Sequence, residues 1–292
     1  MRRSAFLPLH ADRLQQDLSL IGLPDIPLIG IHDQSHAVRG LMPHQHPGLM
    51  EICYLTRGER VYHVDNMDHS FRGNEVFITL PDEWHGSGRH PHGKGLLYWL
   101  QVRLPNRPAP FLTLSARDAW PLVSRLRQLP HRKFLGDRML KILFEDIITL
   151  FNQPDKPLVR IEISAKLIQW LTIIVRCAGA ETDRRNTPDI KRVLAHIDAT
   201  LEGPLSIPQL ATVAGLSSSR LKGKFKEQIG VPPAEYVLRR KIDRARRLLE
   251  QGKSVTDTAY QLGFSSSQYF ATVFKRLTNT RPGELRRQRP LA

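Results

Sequence analysis

The sequence predicts an α+β protein built from three regions along its 292 residues. Short apolar runs separated by turn residues occur before residue 102, and apolar residues recur at helical spacing after residue 110. A stretch near the C-terminus is also repeated. We therefore expect a β domain over residues 1–110, a helical linker and dimerisation segment over 111–180, and an all-α domain over 189–289.

The first region predicts a sandwich or barrel of short strands at 51–55, 60–64, 75–80 and 96–102. The apolar run at 18–31 is interrupted by Pro24, Asp25 and Pro27, so we expect neither a signal peptide nor a membrane span. Cys53 and Cys177 are the only two cysteines, which excludes a disulfide scaffold. We expect a soluble, cytoplasmic protein.

Helical periodicity begins after the proline-rich stretch at 105–110 and predicts helices at 116–128, 136–151 and 158–178. The last helix carries an apolar stripe, which fits either packing against the β domain or a homodimer face. The polar stretch at 181–188 predicts a domain boundary. The stripe consists of Ile161, Ala165, Ile168, Leu171 and Val175.

Charge is concentrated in the last region. The chain has 43 basic and 28 acidic residues, and residues 186–292 alone hold 19 basic and 9 acidic ones. Such a positive field suits DNA or an anionic membrane surface, and it also fits an ordinary solvated face. Charge alone does not choose among these, but the repeat does.

The repeat predicts two helix-turn-helix units, at about 206–230 and 255–278, joined by a long helix. Ala211-Thr-Val-Ala-Gly-Leu-Ser recurs from Ala259 as Ala-Tyr-Gln-Leu-Gly-Phe-Ser. The copies lie 48 residues apart at their glycines and 49 apart at the phenylalanines of a shared Phe-Lys pair. We interpret this difference as one residue inserted in the second recognition helix.

Each copy contains the parts that a helix-turn-helix needs. A glycine can adopt the left-handed conformation that ends the first helix, and Ser217 or Ser265 can cap the next one. Short polar side chains at a helix N-terminus suit base edges, and basic ones suit phosphates. The predicted DNA-binding residues are Ser218, Ser219, Arg220, Lys222, Lys226, Ser266, Ser267, Gln268, Thr272, Lys275 and Arg276.

The joining helix sets a distance between the two units. Pro232 and Pro233 can open it, Gly252 can close it, and about 28 Å lies between them at 1.5 Å per residue. This length would place the two recognition helices about one DNA turn apart. We therefore expect one monomer to read two successive major grooves.

The second copy reads GFSSSQYFATVFK from Gly263, and Pro282 follows. With the repeat, this stretch makes residues 189–289 resemble the DNA-binding domain of the AraC/XylS family of bacterial regulators. The resemblance implies double-stranded DNA, a small-molecule effector and RNA polymerase as partners. Two residues depart from the family pattern: Asn279 replaces a usual glycine, and Gly223 replaces a usual longer, base-contacting side chain.

The β domain has His44, His46 and Glu51 in one motif and His85 in a later one. This pattern resembles the cupin barrel, the usual effector domain of the same family. In metal-binding cupins the matching residues hold a divalent metal, and three imidazoles with a carboxylate suit Fe, Mn, Ni or Zn. A metal-free ligand pocket, a metal-containing pocket and a structural role all remain open.

The effector site predicted from this resemblance comprises His44, His46, Glu51, Tyr62, Trp84, His85 and Trp99. The aromatic residues, together with Tyr54, could stack on a sugar ring, although packing in the core is their default role. No catalytic residue stands out in the sequence. We therefore expect a ligand-controlled transcription regulator; the alternatives are a metal-dependent cupin enzyme carrying a DNA-binding domain and an architectural DNA-binding protein.

Overall fold

A computed structural model describes residues 13–88, 90–153, 158–180 and 186–287. Within these ranges the chain divides into two compact units. The first comprises residues 13–35, 42–88 and 95–180, and the second comprises residues 36–41, 90–94 and 186–287. Most of the predicted domain boundary falls on residues 181–185, which lie outside the described residues.

Two antiparallel sheets form the β part of the first unit. The larger sheet has the strand order β1-β2-β8-β3-β6-β9, and the smaller one has the order β5-β4-β7. The described strands are β1 (Arg13–Asp17), β2 (Leu28–Gln34), β3 (Met50–Arg57), β4 (Glu59–Val64), β5 (Met67–Arg72), β6 (Glu75–Thr79), β7 (His85–Gly86), β8 (Gly95–Val102) and β9 (Lys133–Leu135).

Side chains alternate across the larger sheet, so each of its central strands serves two cores. On β3, Ile52 and Tyr54 pack in a core shared with the helices that follow. Cys53 and Leu55 point the other way, into a second core with Tyr62 of β4 and two phenylalanines, Phe71 and Phe77. The second face is therefore the one that can line a site between the sheets.

Three helices complete the first unit: α1 (Ala116–Arg127), α2 (Arg138–Phe151) and α3 (Val159–Gly179). Ser115 and Asp137 cap the first two, because each side chain accepts a hydrogen bond from a backbone N–H in the first turn. The indole of Trp170 on α3 donates to the Leu140 carbonyl at 3.0 Å, which ties α3 to α2.

The predicted stripe on α3 divides between the core and solvent. Leu171 is completely buried in the core under the sheet, Ile168 and Val175 are half-buried, and Ile161 and Ala165 are exposed. Packing against the β domain therefore accounts for part of the stripe. The exposed N-terminal end of the stripe is the part that remains available to a partner.

The second unit is helical. Its described helices are α4 (Pro188–Ala199), α5 (Ile207–Ala214), α6 (Ser218–Ile229), α7 (Pro233–Glu250), α8 (Val255–Gln261), α9 (Ser267–Thr278) and α10 (Pro282–Arg287). They enclose two separate cores. One is built around α5 and α6 with Tyr236 and Val237 of α7, and the other around α8 and α9 with Ile242 and Leu249 of α7.

Most predicted elements of the first unit are present within a few residues of their expected bounds. The sequence missed β1, β2, β5, β7 and β9. β7 and β9 have only two and three residues, and β5 carries mainly polar side chains. These three strands therefore lack the alternation of apolar and polar residues from which a strand can be predicted. None of the helices in the described ranges is long and apolar enough to cross a membrane.

Candidate functional site

The first helix-turn-helix is formed by α5 and α6. Gly215 ends α5 with a φ of 69°, and Ser217 accepts a hydrogen bond from the Arg220 N–H to cap α6. Both features agree with the sequence prediction. Leu221 and Phe225 are completely buried, which fixes the face of α6 that points away from the core.

The second helix-turn-helix corrects one prediction. Gly263 has a φ of 68°, like Gly215, but the cap of α9 is Ser266 rather than Ser265. Ser266 Oγ accepts from the Tyr269 N–H at 3.1 Å. The residue inserted in the second copy therefore lies in the turn, and not in the recognition helix as the spacing suggested.

With the caps aligned, α6 and α9 are both 12 residues long and correspond position by position. Ser219 corresponds to Gln268, Gly223 to Thr272, and Lys226 to Lys275. Asn279 ends α9 with a φ of 58°, matching Gly230 at 79° after α6. Asn279 therefore adopts the left-handed conformation that a glycine would adopt at this position.

The predicted DNA-binding side chains lie on the outer surface of these two helices. Ser218, Ser266 and Ser267 are half-buried at the helix starts, and Ser266 is occupied by its capping role. The remaining predicted residues are exposed: Ser219, Arg220, Lys222, Lys226, Gln268, Thr272, Lys275 and Arg276. They are accessible to a large partner.

The joining helix α7 has 18 residues, or about 27 Å at 1.5 Å per residue. Its apolar residues Ile242, Ala245 and Leu249 are buried, and its basic residues do not form an open face. Arg239 and Lys241 are buried, while Arg240 and Arg244 pair with Asp198 and Glu202. Much of the positive charge of α7 therefore serves the fold of this unit.

In the first unit, three predicted histidines come together. One ligand nitrogen from each of His44, His46 and His85 lies within 4.8 Å of the others. His44 and His85 are held by a backbone bridge in which each N–H donates to the other's carbonyl at 2.9 Å. Glu51 Oε2 lies 3.3 Å from His46 Nε2, and Glu51 Oε1 lies 3.9 Å from His85 Nε2.

Hydrogen bonds orient two of these rings. His44 Nδ1 donates to the Met42 carbonyl at 2.9 Å, and His85 Nδ1 donates to the Glu83 carbonyl at 3.0 Å. Each ring then has its lone pair on Nε2, the tautomer that metal-binding histidines commonly use. His85 Nε2 is buried and has no hydrogen-bond partner in the described part of the chain. The residues therefore fit a divalent metal.

Electrostatics favour a neutral imidazole beside an ionised carboxylate. Burial lowers the pKa of His85. Burial would by itself raise the pKa of Glu51, but the hydrogen bond from His46 and the electrostatic interactions with the neighbouring His85 and His46 hold that pKa below its ordinary value. Both protonation states are the ones in which these groups bind a cation.

The structure adds residues that sequence reasoning missed. Gln101 Nε2 lies 3.2 Å from the ring nitrogens of His46, and Cys53 Sγ lies 3.5 Å from Glu51 Oε1 and 3.7 Å from the Tyr62 hydroxyl. Burial raises the pKa of Cys53, so its thiol stays protonated. Period-two alternation from Glu51 along β3 was the signal that could have identified Cys53.

The predicted aromatic residues occupy three environments. Tyr62 is buried with its ring 6.3 Å from that of His85, so it borders the histidines. Trp99 is buried on the same inter-sheet core, and its indole donates to His32 Nε2 at 3.2 Å. Trp84 is 61% exposed. Tyr54 lies in the helix-side core, so it is not a pocket residue.

Comparison with known proteins agrees with both parts of the chain. A model of the AraC-like ligand binding domain matches residues 27–171, and one of a helix-turn-helix domain matches residues 210–288. The transcriptional activator RhaS of Enterobacter sp. (strain 638) is 31% identical over 259 residues, covering 85% of this chain and 88% of that protein. The chain belongs to the AraC family of transcriptional regulators.

Other relatives of this AraC-family protein match over different lengths. YfiF of Bacillus subtilis, an HTH-type transcriptional regulator, is 24% identical over 83% of this chain and 78% of that protein. GlxA of Rhizobium meliloti is 36% identical over 39% of this chain and 35% of that protein. A solved AraC-type DNA-binding protein from Chromobacterium violaceum is 33% identical, covering 36% of this chain and 94% of that one with a TM-score of 0.34.

Proposed function

We propose that one monomer of this AraC-family regulator reads two successive major grooves with α6 and α9. The observation that supports this is the pair of equally long, equally capped recognition helices with exposed polar and basic side chains. α7 spans about 27 Å, of the order of one DNA turn, about 34 Å. Because Ser219 and Gly223 correspond to Gln268 and Thr272, the two half-elements should differ in sequence.

The test begins with DNA selected from a random library by the full-length protein, followed by a groove-resolved footprint. We expect two successive major grooves to be protected per monomer, and protection of only one would contradict the proposal. Gln268→Ala should weaken the free energy of binding to the selected DNA by about 1–3 kcal/mol, because contacts to the bases are lost. Lys275→Ala should weaken binding to selected DNA and to random DNA by similar factors, because its proposed contact is to a phosphate. Thr256→Ala, exposed on α8, is the matched control.

We further propose that the two sheets form a cupin-like barrel that binds the small-molecule effector beside the histidines, and that this binding changes DNA affinity. A sugar suits the site because Tyr62 and Trp99 place aromatic rings in the core between the sheets, and Gln101 and Glu51 place polar groups beside His46. The exposed end of the α3 stripe is the proposed homodimer face, and RNA polymerase is the proposed partner at promoters.

The histidine cluster supports a divalent metal as part of this site. We propose that His44, His46, His85 and Glu51 hold it, with the metal orienting the effector. Metal content should be measured on protein purified without a nickel column. We expect one equivalent in the wild type and none in a His44→Ala/His46→Ala double variant. A His63→Ala/His69→Ala control, altered on β4 and β5, should retain the metal.

Absence of metal from wild-type protein refolded with Zn²⁺, Fe²⁺, Mn²⁺ or Ni²⁺ would contradict the metal proposal and leave the metal-free effector pocket. The same cluster is the one observation that favours the second candidate, a metal-dependent enzyme carrying a DNA-binding domain. Turnover of a small molecule by metal-loaded protein, lost in the double variant, would support that alternative.

A further inference from the structure

The two helix-turn-helix units have separate hydrophobic cores, so something other than a common core must set their relative position. α7 contributes its N-terminal half to one core and its C-terminal half to the other. A single helix fixes the distance between two bodies, but bending and side-chain rotation leave the angle between them less restricted. A second contact between the units would remove that freedom.

Such a contact is present where the loop before α5 meets the turn of the second helix-turn-helix. The Gly203 N–H donates to the Gln261 carbonyl at 3.1 Å. A Cβ added to Gly263 would lie 2.2 Å from the Gly203 carbonyl carbon and 2.6 Å from the Pro204 nitrogen. The two backbones therefore approach more closely than any residue with a side chain at position 263 would allow.

Lys241 of α7 closes this contact from the third side. Its Nζ donates to the Gly203 carbonyl at 2.7 Å and lies 5.8 Å from the centre of the Phe264 ring. The side chain is only 5% exposed, and burial lowers the pKa of its ammonium group. Burying an ammonium group without a carboxylate partner costs free energy. The hydrogen bond to the Gly203 carbonyl offsets part of this cost, which ties Lys241 to the loop before α5.

We infer that this contact, the glycine clamp formed by Gly203, Lys241, Gln261 and Gly263, fixes the angle between the two recognition helices and thereby sets which half-element spacing the protein accepts. Lys241 is a positioning residue, because it acts on DNA only through the geometry of α6 and α9. The exposed pairs Arg240–Asp198 and Arg244–Glu202 add little to it, since solvent screens them. The inference rests on the proposed two-groove binding.

The first test measures the clamp without DNA. Spin labels on Thr212→Cys and Thr256→Cys, exposed on α5 and α8, report the distance between the two helix-turn-helix units in a full-length Cys177→Ser background. We expect a narrow distance distribution that broadens in Lys241→Met. Lys224→Met is the control, because it removes an equally short hydrogen bond, 2.7 Å from Lys224 Nζ to Asp189, that does not join the two helix-turn-helix units. An unchanged distribution in Lys241→Met would overturn the inference.

The second test measures affinity for selected DNA with two base pairs inserted between the half-elements, which rotates them by about 70°. Wild type and Lys224→Met should lose at least about tenfold in affinity on this DNA. Lys241→Met should bind the original DNA about tenfold more weakly, because a second helix-turn-helix that is held less rigidly has a lower effective concentration at its half-element. The variant should also discriminate less between the two spacings. Equal discrimination in wild type and Lys241→Met would overturn the inference.

Two further variants guard against simple misfolding. Lys241→Arg keeps a charged donor and should restore most of the spacing selectivity, whereas a destabilised helix alone would not depend on the donor. Gly263→Ala should broaden the label distances through its collision with Gly203. If wild-type protein selects no DNA sequence, the proposed function fails, while the label distances still decide whether the clamp exists.

Discussion

At the scale of single residues, the second turn shows how one serine decides where a helix begins. Three consecutive serines, Ser265, Ser266 and Ser267, could each have capped α9, and residue type alone does not distinguish them. Ser266 is the serine whose hydroxyl caps the helix, and Phe270 and Phe274 of the same helix are completely buried. Residue type therefore narrows the start of α9 to three neighbouring serines, and the structure identifies the one that caps it.

This assignment predicts a difference between neighbouring serines. Ser266→Ala should lower the free energy of unfolding by about 1 kcal/mol, because the Tyr269 N–H loses its acceptor. Ser265→Ala should change it by less than about 0.5 kcal/mol, as expected for an exposed surface position. Urea unfolding followed by helical circular dichroism measures both, and equal effects would contradict the assigned cap.

The histidine cluster is also a residue-scale result. The sequence predicted which four side chains belong together, because their motifs resembled those of metal-binding proteins. It could not predict that His85 Nε2 would be buried without a hydrogen-bond partner among the described residues, or that Gln101 would meet His46. The first depends on how β7 pairs with β4 and with His44, and the second on the register that places Gln101 opposite Glu51 between β8 and β3. No local pattern specifies these pairings.

At the scale of elements, α6 and α9 are one design with different side chains. Their lengths, caps and left-handed ends coincide, but α6 has Gly223 where α9 has Thr272. A glycine in a helix interior costs stability and offers no side chain to a base. We therefore expect α9 to contribute more base discrimination and α6 to depend more on Lys222 and Lys226.

Two glycines of the first helix-turn-helix should respond in opposite ways to alanine. An added Cβ meets no atom within 4 Å at either Gly223 or Gly215, so steric space is equal. Gly223 is helical, and Gly223→Ala should raise the free energy of unfolding by about 1 kcal/mol. Gly215 has a φ of 69°, so Gly215→Ala should lower the free energy of unfolding by about 1 kcal/mol.

The measurement has an internal control, because the chain's four tryptophans all lie in the first unit: Trp84, Trp99, Trp120 and Trp170. Helical circular dichroism should shift in urea for both variants, while tryptophan fluorescence should follow the first unit unchanged. A destabilising Gly223→Ala would show that this face of α6 packs against another part of the protein.

At the scale of the whole molecule, the AraC-like ligand binding domain and the helix-turn-helix region each have their own hydrophobic cores. The helices at 116–179 belong to the first unit because α2 and α3 cover the larger sheet and β9 extends its edge. The net positive charge of the last region is a property of the sequence. How much of it reaches DNA depends on folding, since α7 uses several of its basic residues internally.

Patterns along the chain were sufficient for the helices, the main strands and the two helix-turn-helix units, because periodicity, glycine conformation and local spacing act between near neighbours. The four residues of the histidine cluster were predicted from their resemblance to the cupin motifs. The buried His85 nitrogen that lacks a hydrogen-bond partner in the described ranges, and the clamp between Gly203 and Gly263, were decided only by the tertiary structure. Each depends on contacts between residues distant in sequence, whose register and approach follow from packing rather than from local preference.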